Sequence, residues 1–359
     1  MEHEIEFHEV STSDGWKLGI KRYKPNKVSC PVILCHGLGA NSNCLDFDGD
    51  EQGKDWKKYS LAYYLLQDKK IFDVWVVDLR GSKRSQTFKP RENPWKYNWN
   101  VDTYINNDVP DVIKYVKRIY YNESGKDTKA FWVGKSMGGM IAYAYGMSEE
   151  GRRNLKGVVT IGSPVKFENL MNEWGWLLEM VKIFHPRKIS FPVRWIKLLE
   201  AIGLIDKLKE NVANVENVHE EILDKYINIG CDNVVSLKLF LQFVWFIKLK
   251  DFCSYPTYPW LSDIFYKSPF IKFFRPYSYT KNLKKFISPV LMIAGSKDKQ
   301  APPPSIWYAF QNVGSKDKTY VEFSKKNGTS DYGHFDLTLG KKSKKEVYPV
   351  IYEWLRKRV

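Results

Sequence analysis

The sequence predicts an α/β fold, with a mostly parallel central sheet, helices on both faces and an inserted helical cap. Short apolar runs that end at glycines or turns alternate with amphipathic helical segments, which is typical of buried parallel strands joined by helices. This alternation stops after residue 165 and returns near residue 286, and the intervening stretch is helix-like and rich in aromatic residues. We therefore expect residues 1–165 and 286–359 to form the core, and residues 166–285 to form the cap.

The first part of the chain predicts an antiparallel pair followed by buried strands. Polar and apolar residues alternate over residues 5–24 on both sides of an Asp-Gly turn at residues 14–15, as in a hairpin. Residues 31–36 and 73–78 each contain a continuous apolar run and lead into glycine loops, so we expect two central strands. Residues 103–121 carry an apolar face at helical spacing and predict a helix.

The remaining core elements follow the same pattern. A strand at residues 129–133 is expected to run directly into a glycine-rich turn, with a helix over residues 140–147. The other expected strands and the final helix lie at residues 155–161, 289–294, 319–323 and 345–358.

Ser136 is the predicted nucleophile. It occupies the middle of Gly134-Lys135-Ser136-Met137-Gly138, between a predicted strand and a predicted helix. In such an elbow the serine sits on a strained, tight turn, and the glycines two residues before and after it let strand and helix approach. The alternative is a glycine-rich turn with an incidental serine, and the flanking strand and helix argue against it.

A serine hydroxyl becomes a good nucleophile only when an imidazole accepts its proton. His334 follows the last predicted strand near the C-terminus, where a loop can bring it over the edge of the sheet. The other histidines precede the fold, fall in the cap or, for His36, belong to an early glycine loop where we expect a structural role. His334 is therefore the predicted base.

The imidazole in turn needs a carboxylate that holds its tautomer. Asp298 lies in the loop after the penultimate strand and is the predicted partner. Asp331 and Asp336 are too close to the histidine in sequence, and Asp317 precedes the last strand, at the far end of the sheet. The alternative is that Asp298 is an ordinary turn aspartate.

Two backbone N–H groups are expected to bind the oxyanion that forms on acyl attack. They belong to Met137, the residue after the nucleophile, and to Leu38 in the early glycine loop. Gly37 and Gly39 shape that loop.

Composition limits the classes of partner. The net charge of +15 comes from scattered lysines, with one short basic run at residues 341–345, so we expect a solvated lysine-rich surface and no nucleic-acid partner. No basic and apolar leader or apolar run of ~20 residues is visible, so we expect a cytoplasmic protein. Neither a disulfide framework nor a zinc cluster is expected, because the five cysteines have neither CxxC spacing nor an even number: Cys30, Cys35, Cys44, Cys231 and Cys253.

Four motifs resemble the α/β-hydrolases that include the acid lipases and monoacylglycerol lipases. They are HGLGA at residues 36–40, SLAYYLL at 60–66, DVWVVDLRG at 73–81 and WNVDTYINNDVP at 99–110. The resemblance covers residues 5–165 and 286–359 but not the cap. It implies hydrolysis of carboxylic esters of lipids without a cofactor, with the serine, aspartate and histidine named above at matching positions.

The chain departs from these relatives in two ways. Secreted acid lipases carry a signal peptide that is not visible here, so a lysosomal or digestive setting is not implied. Lys135 stands where many relatives have His, Tyr or Asn; we expect it to face solvent, with a preference for an anionic substrate as the alternative. The core is also similar to polyhydroxyalkanoate synthases, but these use a cysteine nucleophile, and Ser136 counts against that activity.

The predicted function is a lipase or esterase that works without metal or cofactor. An acyltransferase or a thioesterase using the same three residues, and a ligand-binding protein of this fold, stay open as alternatives. The cap aromatics are expected either to roof an apolar acyl pocket or to form the core of the cap, and with the neighbouring lysines they are compatible with contact with an anionic membrane. Among them are Trp174, Trp176, Trp195, Trp245 and Trp260.

Overall fold

A computed structural model of the chain describes residues 4–67, 71–168, 190–192, 205–231, 234–265 and 275–359. Structural statements below refer to these residues. They include all the predicted core elements and part of the predicted cap.

The core is an eight-stranded sheet in which only the second strand runs against the others. Its spatial order is β1-β2-β4-β3-β5-β6-β9-β10, and the antiparallel pairs are β1 with β2 and β2 with β4. The other neighbours are parallel, which confirms the predicted fold class. The strands are β1 Glu4–Ser11, β2 Lys17–Lys24, β3 Cys30–Cys35, β4 Phe72–Val77, β5 Ala130–Lys135, β6 Leu155–Ile161, β9 Val290–Gly295 and β10 Lys318–Phe323.

Burial explains why the central strands read as continuous apolar runs. Every residue of β3, β4, β5 and β9 is buried, because helices cover both faces of a parallel sheet. In register, Val32 of β3 lies between Val74 of β4 and Phe131 of β5. The carboxyl ends of the parallel strands therefore meet at one edge of the sheet, which is where α/β proteins place their ligands.

The predicted helix at residues 103–121 is divided into three parts. A short turn of α-helix, Val101–Thr103, continues into a π-helical segment at Tyr104–Asp108 and then into the regular helix Val109–Ser124. That helix ends at Gly125, whose φ of 69° is left-handed, as is usual at helix C-termini.

The remaining helices of the described residues complete the core and the described part of the cap. In the core they are Trp56–Tyr59, Leu61–Leu65, Met137–Gly146, Glu149–Asn154, Pro303–Asn312, Asp336–Leu339 and Ser343–Arg356. Within residues 166–285 they are Ile205–Val212, Glu220–Gly230, Leu237–Leu249 and Pro259–Phe265.

Part of the predicted cap is attached directly to the core. The side-chain amides of Asn41 and Asn43 donate to the carbonyl of Ile229 at 2.7 and 3.2 Å, so the C-terminal end of helix Glu220–Gly230 rests on the loop after β3. Residues 166–285 also contain two short strands, β7 Ser190–Pro192 and β8 Val234–Ser236, which pair with each other and not with the main sheet. The division into core and cap stays a prediction.

The apolar helix Leu237–Leu249 has 13 residues. It is shorter than the ~20 residues that cross a bilayer. None of the helices within the described ranges is both long and apolar enough to span a membrane.

Candidate active site

Ser136 occupies a strained turn between strand β5 and helix Met137–Gly146. Its φ of 52° and ψ of −121° are rare for a residue with a Cβ atom and cost about 1–3 kcal/mol. Its N–H donates to the carbonyl of Ile161 at 2.8 Å, so the turn is tied to the end of the neighbouring strand β6. The surrounding structure holds the serine at the carboxyl edge of the sheet.

The glycines around the serine are required by close backbone contacts. A Cβ atom on Gly134 would lie 2.3 Å from the carbonyl oxygen of Gly138, and one on Gly138 would lie 2.5 Å from that of Cys35. A Cβ atom on Gly37 would lie 2.9 Å from the Cβ atom of Ser136. Any larger residue would push the strand, the helix and the early glycine loop apart.

His334 and Asp298 are paired at the same edge of the sheet. Nδ1 of His334 lies 2.8 Å from Oδ2 of Asp298, and both side chains are buried. The other carboxylate oxygen, Oδ1, accepts the N–H groups of Gln300 and Ala301 at 2.9 and 2.8 Å. The carboxylate is thus held rigidly, and an Nδ1–H donated to it leaves Nε2 of the imidazole as a proton acceptor.

The two other aspartates near the histidine are occupied elsewhere. Asp336 is fully buried and accepts N–H groups from Gly333 and from Asn214 and Asn217, both in residues 205–231. Asp331 accepts the hydroxyl of Ser296 at 2.8 Å. Neither is hydrogen-bonded to the imidazole. Asp317, outside the site, pairs with Arg358 on the C-terminal helix.

Gly162, which directly follows the predicted strand at residues 155–161, is part of the site, although the sequence did not predict this. Its φ is +56°, and a Cβ atom there would lie 2.9 Å from Oδ2 of Asp298 and 3.2 Å from Nδ1 of His334. The missing side chain makes room for the carboxylate–imidazole pair. The only signal in the sequence was a glycine directly after a buried strand.

His36 orients the loop that carries one predicted oxyanion donor. Its Nε2 accepts the N–H of Leu79 at 3.0 Å, and its Nδ1 lies 2.8 Å from the carbonyl oxygen of Gly37, so Nδ1 carries the proton. Burial lowers the pKa of this histidine, which favours the neutral form. Because a trans peptide is planar, the held Gly37 carbonyl directs the N–H of Leu38 to the opposite side, away from His36.

The second predicted donor is the N–H of Met137, the first residue of helix Met137–Gly146. The first N–H groups of a helix have no acceptor within it, and the positive end of the helix dipole favours an anion there. Met137 follows Ser136 directly in the chain, and the loop that carries Leu38 approaches the serine closely at Gly37.

Lys135 does not face solvent, so that expectation is wrong. Its side chain is buried, and its ammonium group donates a hydrogen bond to the carbonyl oxygen of His334. Burial lowers its pKa. The physical reason is its position as the last residue of a central strand, where neither face of the sheet is open to water.

The predicted cap tryptophans differ in their surroundings. Trp245 is buried and Trp260 is exposed, so of these two, only Trp245 lies in packed surroundings. Trp174, Trp176 and Trp195 lie outside the described residues.

Known proteins are similar to parts or nearly all of this chain. Residues 31–183 match the model of the α/β hydrolase fold family. A probable lipase from Schizosaccharomyces pombe is 29% identical over 40% of this chain and 30% of its own length. Triacylglycerol lipase 1 from Arabidopsis thaliana is 23% identical over 98% of this chain and 87% of its own length.

Solved structures with this fold match nearly the full length of the chain. An esterase from Exiguobacterium antarcticum covers 98% of this chain and all of its own length, with 16% identity and a TM-score of 0.61. The match to a monoacylglycerol lipase from Paleococcus ferrophilus extends over the full length of both chains, with 18% identity and a TM-score of 0.53. The chain therefore has the α/β-hydrolase fold and resembles the lipases and esterases that are built on it.

Proposed function

We propose that this chain is a serine hydrolase that cleaves carboxylic esters with a hydrophobic acyl group through an acyl-enzyme. The observation that carries the proposal is the hydrogen bond of 2.8 Å between His334 and Asp298, at the sheet edge where Ser136 is held in a strained turn. The similarity to lipases and esterases supports the same reaction class.

Each residue has a definite task in this mechanism. The hydroxyl of Ser136 attacks the ester carbonyl while Nε2 of His334 takes its proton, and Asp298 stabilises the imidazolium. The N–H groups of Leu38 and Met137 bind the oxyanion. The imidazolium then protonates the departing alcohol, and water, deprotonated by the same imidazole, hydrolyses the acyl-enzyme.

A lipid substrate is part of the proposal. Two relatives are named as lipases, and aromatic side chains are exposed in the predicted cap, among them Tyr258 and Trp260. Exposed aromatics and a net charge of +15 suit contact with an anionic lipid surface. Membrane contact and the cytoplasmic location both stay predictions.

The test is hydrolysis of p-nitrophenyl esters from acetate to palmitate by the wild type and by Ser136→Ala. The matched control is Ser11→Ala, because Ser11 is exposed at the end of β1, far in sequence from the site. We expect Ser136→Ala to lose at least about 10³-fold in kcat, because the nucleophile is the element that the remaining groups cannot replace, and Ser11→Ala to match the wild type. The chain-length optimum reports the size of the acyl pocket.

Other results would favour the alternatives. Faster turnover of acyl-CoA than of esters would identify a thioesterase, and transfer to an alcohol in preference to water would identify an acyltransferase. Ester hydrolysis that survives Ser136→Ala would refute the proposed nucleophile. Tight ligand binding by a wild type that turns over no acyl compound would favour a binding protein.

A further inference from the structure

The ammonium group of Lys135 is buried directly behind the catalytic histidine. It donates a hydrogen bond to the backbone carbonyl of His334, a residue 199 positions away in the chain. Within the described residues this lysine forms no ion pair. A buried ammonium is costly unless other groups compensate its charge, so the groups around it matter.

Three titratable groups besides the histidine face this ammonium, each from a different segment. They are Cys44 after β3, Asp298 after β9 and Asp336 after the histidine loop. Both carboxylates are buried. Burial lowers the pKa of Lys135, and the three groups act in the opposite direction. Burial raises the pKa of the Cys44 thiol, which is therefore neutral, so the charges that stabilise the ammonium form are those of the two aspartates.

Asp336 is a buried carboxyl group that has no cation in direct contact among the described residues. Its oxygens accept the N–H groups of Gly333, Asn214 and Asn217 at 3.0, 3.1 and 2.9 Å. All three donors are neutral. Burial raises the pKa of this carboxyl, whereas its hydrogen bonds lower it and favour the ionised form. Asp336 in turn favours the charged form of Lys135.

The charges of the titratable side chains balance at one step of the reaction, at which backbone N–H groups bind the oxyanion. Asp298 and Asp336 contribute two negative charges, and Lys135 in its ammonium form contributes one positive charge. The second positive charge appears on His334 when it takes the proton of the nucleophile. Without the lysine, the imidazole would face the field of two buried carboxylates instead of one.

We propose that Lys135 is a positioning residue: it holds the backbone of His334 and offsets the charge of Asp336. Asp298 is then the only uncompensated carboxylate that acts on the imidazole. This inference rests on the proposed function, because it assigns the lysine a task in the same proton transfer. A lysine that only fills space would be replaceable by an uncharged side chain of similar length.

The inference makes opposite predictions for two single variants. In Lys135→Met the uncompensated carboxylate lets the imidazole hold its proton to higher pH, so the acid limb of the kcat/KM profile shifts to higher pH. In Asp336→Asn the uncompensated ammonium disfavours the imidazolium, so the same limb shifts to lower pH. Each shift is expected to be about one pH unit, the lower end of the effect of a charge near a buried group. The double variant is expected to return close to the wild-type profile.

The experiment records kcat/KM for p-nitrophenyl butyrate from pH 5 to 9 for the wild type, both single variants and the double variant. Lys126→Met is the matched control, because Lys126 is exposed. If Lys135→Met does not fold, Asp336→Asn decides alone by the direction of its shift. Limbs that do not move, or that move in the same direction in both single variants, would overturn the inference.

Failure of this inference is distinguishable from failure of the proposed function. An active wild type that loses activity in Ser136→Ala, with unchanged acid limbs in the lysine and aspartate variants, removes only the role of Lys135. A wild type without esterase activity removes the hydrolase proposal itself.

Discussion

Gly162→Ala tests whether the space beside the carboxylate–imidazole pair matters for catalysis. The new Cβ atom would lie 2.9 Å from Oδ2 of Asp298 and 3.2 Å from Nδ1 of His334. Ordinary non-bonded contacts begin near ~3.4–3.5 Å, so the carboxylate has to move by roughly half an ångström. Oδ1 of Asp298 is tied to two backbone N–H groups, so the movement acts mainly on the hydrogen bond to the imidazole.

The expected effect on activity follows from this displacement. A misplacement of about 1 Å in a catalytic group costs about 10²-fold, so we expect kcat/KM to fall by about 10- to 100-fold. Placing alanine at a φ of +56° also costs about 1–2 kcal/mol of stability. The loss of activity and the loss of stability are separable, because only the loss of activity requires contact between the new Cβ atom and a neighbouring side chain.

Gly125→Ala is the matched control for backbone strain. Gly125 has a φ of +69° and nothing within 4 Å of its missing Cβ atom, so its substitution introduces the same kind of strain without a contact. Urea unfolding and ester hydrolysis are measured for both variants and the wild type. The reasoning is refuted if both variants lose similar stability and Gly162→Ala keeps kcat/KM within threefold of Gly125→Ala.

Two further predictions concern the oxyanion loop and a charged cluster. His36→Asn releases the Gly37 carbonyl and is expected to lower kcat by about 10- to 100-fold, which is less than the loss of a whole oxyanion donor, while KM changes little. Steady-state kinetics measures both constants. A folded variant with kcat within twofold of the wild type would contradict this prediction. Burial raises the pKa of Asp50, but the positive charges of Lys21, Lys83 and a neighbouring arginine outweigh burial and hold that pKa at about 2. The charge of Asp50 therefore stabilises the fold fully above the unfolded pKa of 3.8. This stabilisation is lost as the pH falls towards 2. Allowing for partial exposure, Asp50→Asn is expected to lower the unfolding free energy by roughly 1–2 kcal/mol at pH 7 and by about half as much near pH 3, measured by urea unfolding. An equal loss at both pH values would contradict the role of the charge.

Local patterns were sufficient for most of the sheet. The continuous apolar run of residues 31–36 predicted a buried strand, and Cys30–Cys35 forms one with every side chain buried. Such a run is informative because burial on both faces removes the alternation of a half-exposed strand. The helix at residues 103–121 was predicted less well, because its apolar spacing does not distinguish the π-helical segment at Tyr104–Asp108 from a regular helix.

The surroundings of Lys135 could not be predicted from its neighbours in the sequence. A lysine at the end of a strand is most often exposed, and nothing in residues 130–138 contradicts this. Its burial depends on His334, which is 199 positions away, and on Cys44. Contacts of this kind are set by chain topology and leave no periodic signal.

The choice of carboxylate for His334 depends on the same kind of distant contact. A carboxylate can orient an imidazole only if one of its oxygens is free to accept Nδ1–H. Both oxygens of Asp336 accept N–H groups, two of them from residues 205–231, whereas Asp298 places its two backbone donors on Oδ1 and leaves Oδ2 for the imidazole. Sequence separation placed Asp298 first among the candidates, but the arrangement of these donors is what gives each aspartate its different task.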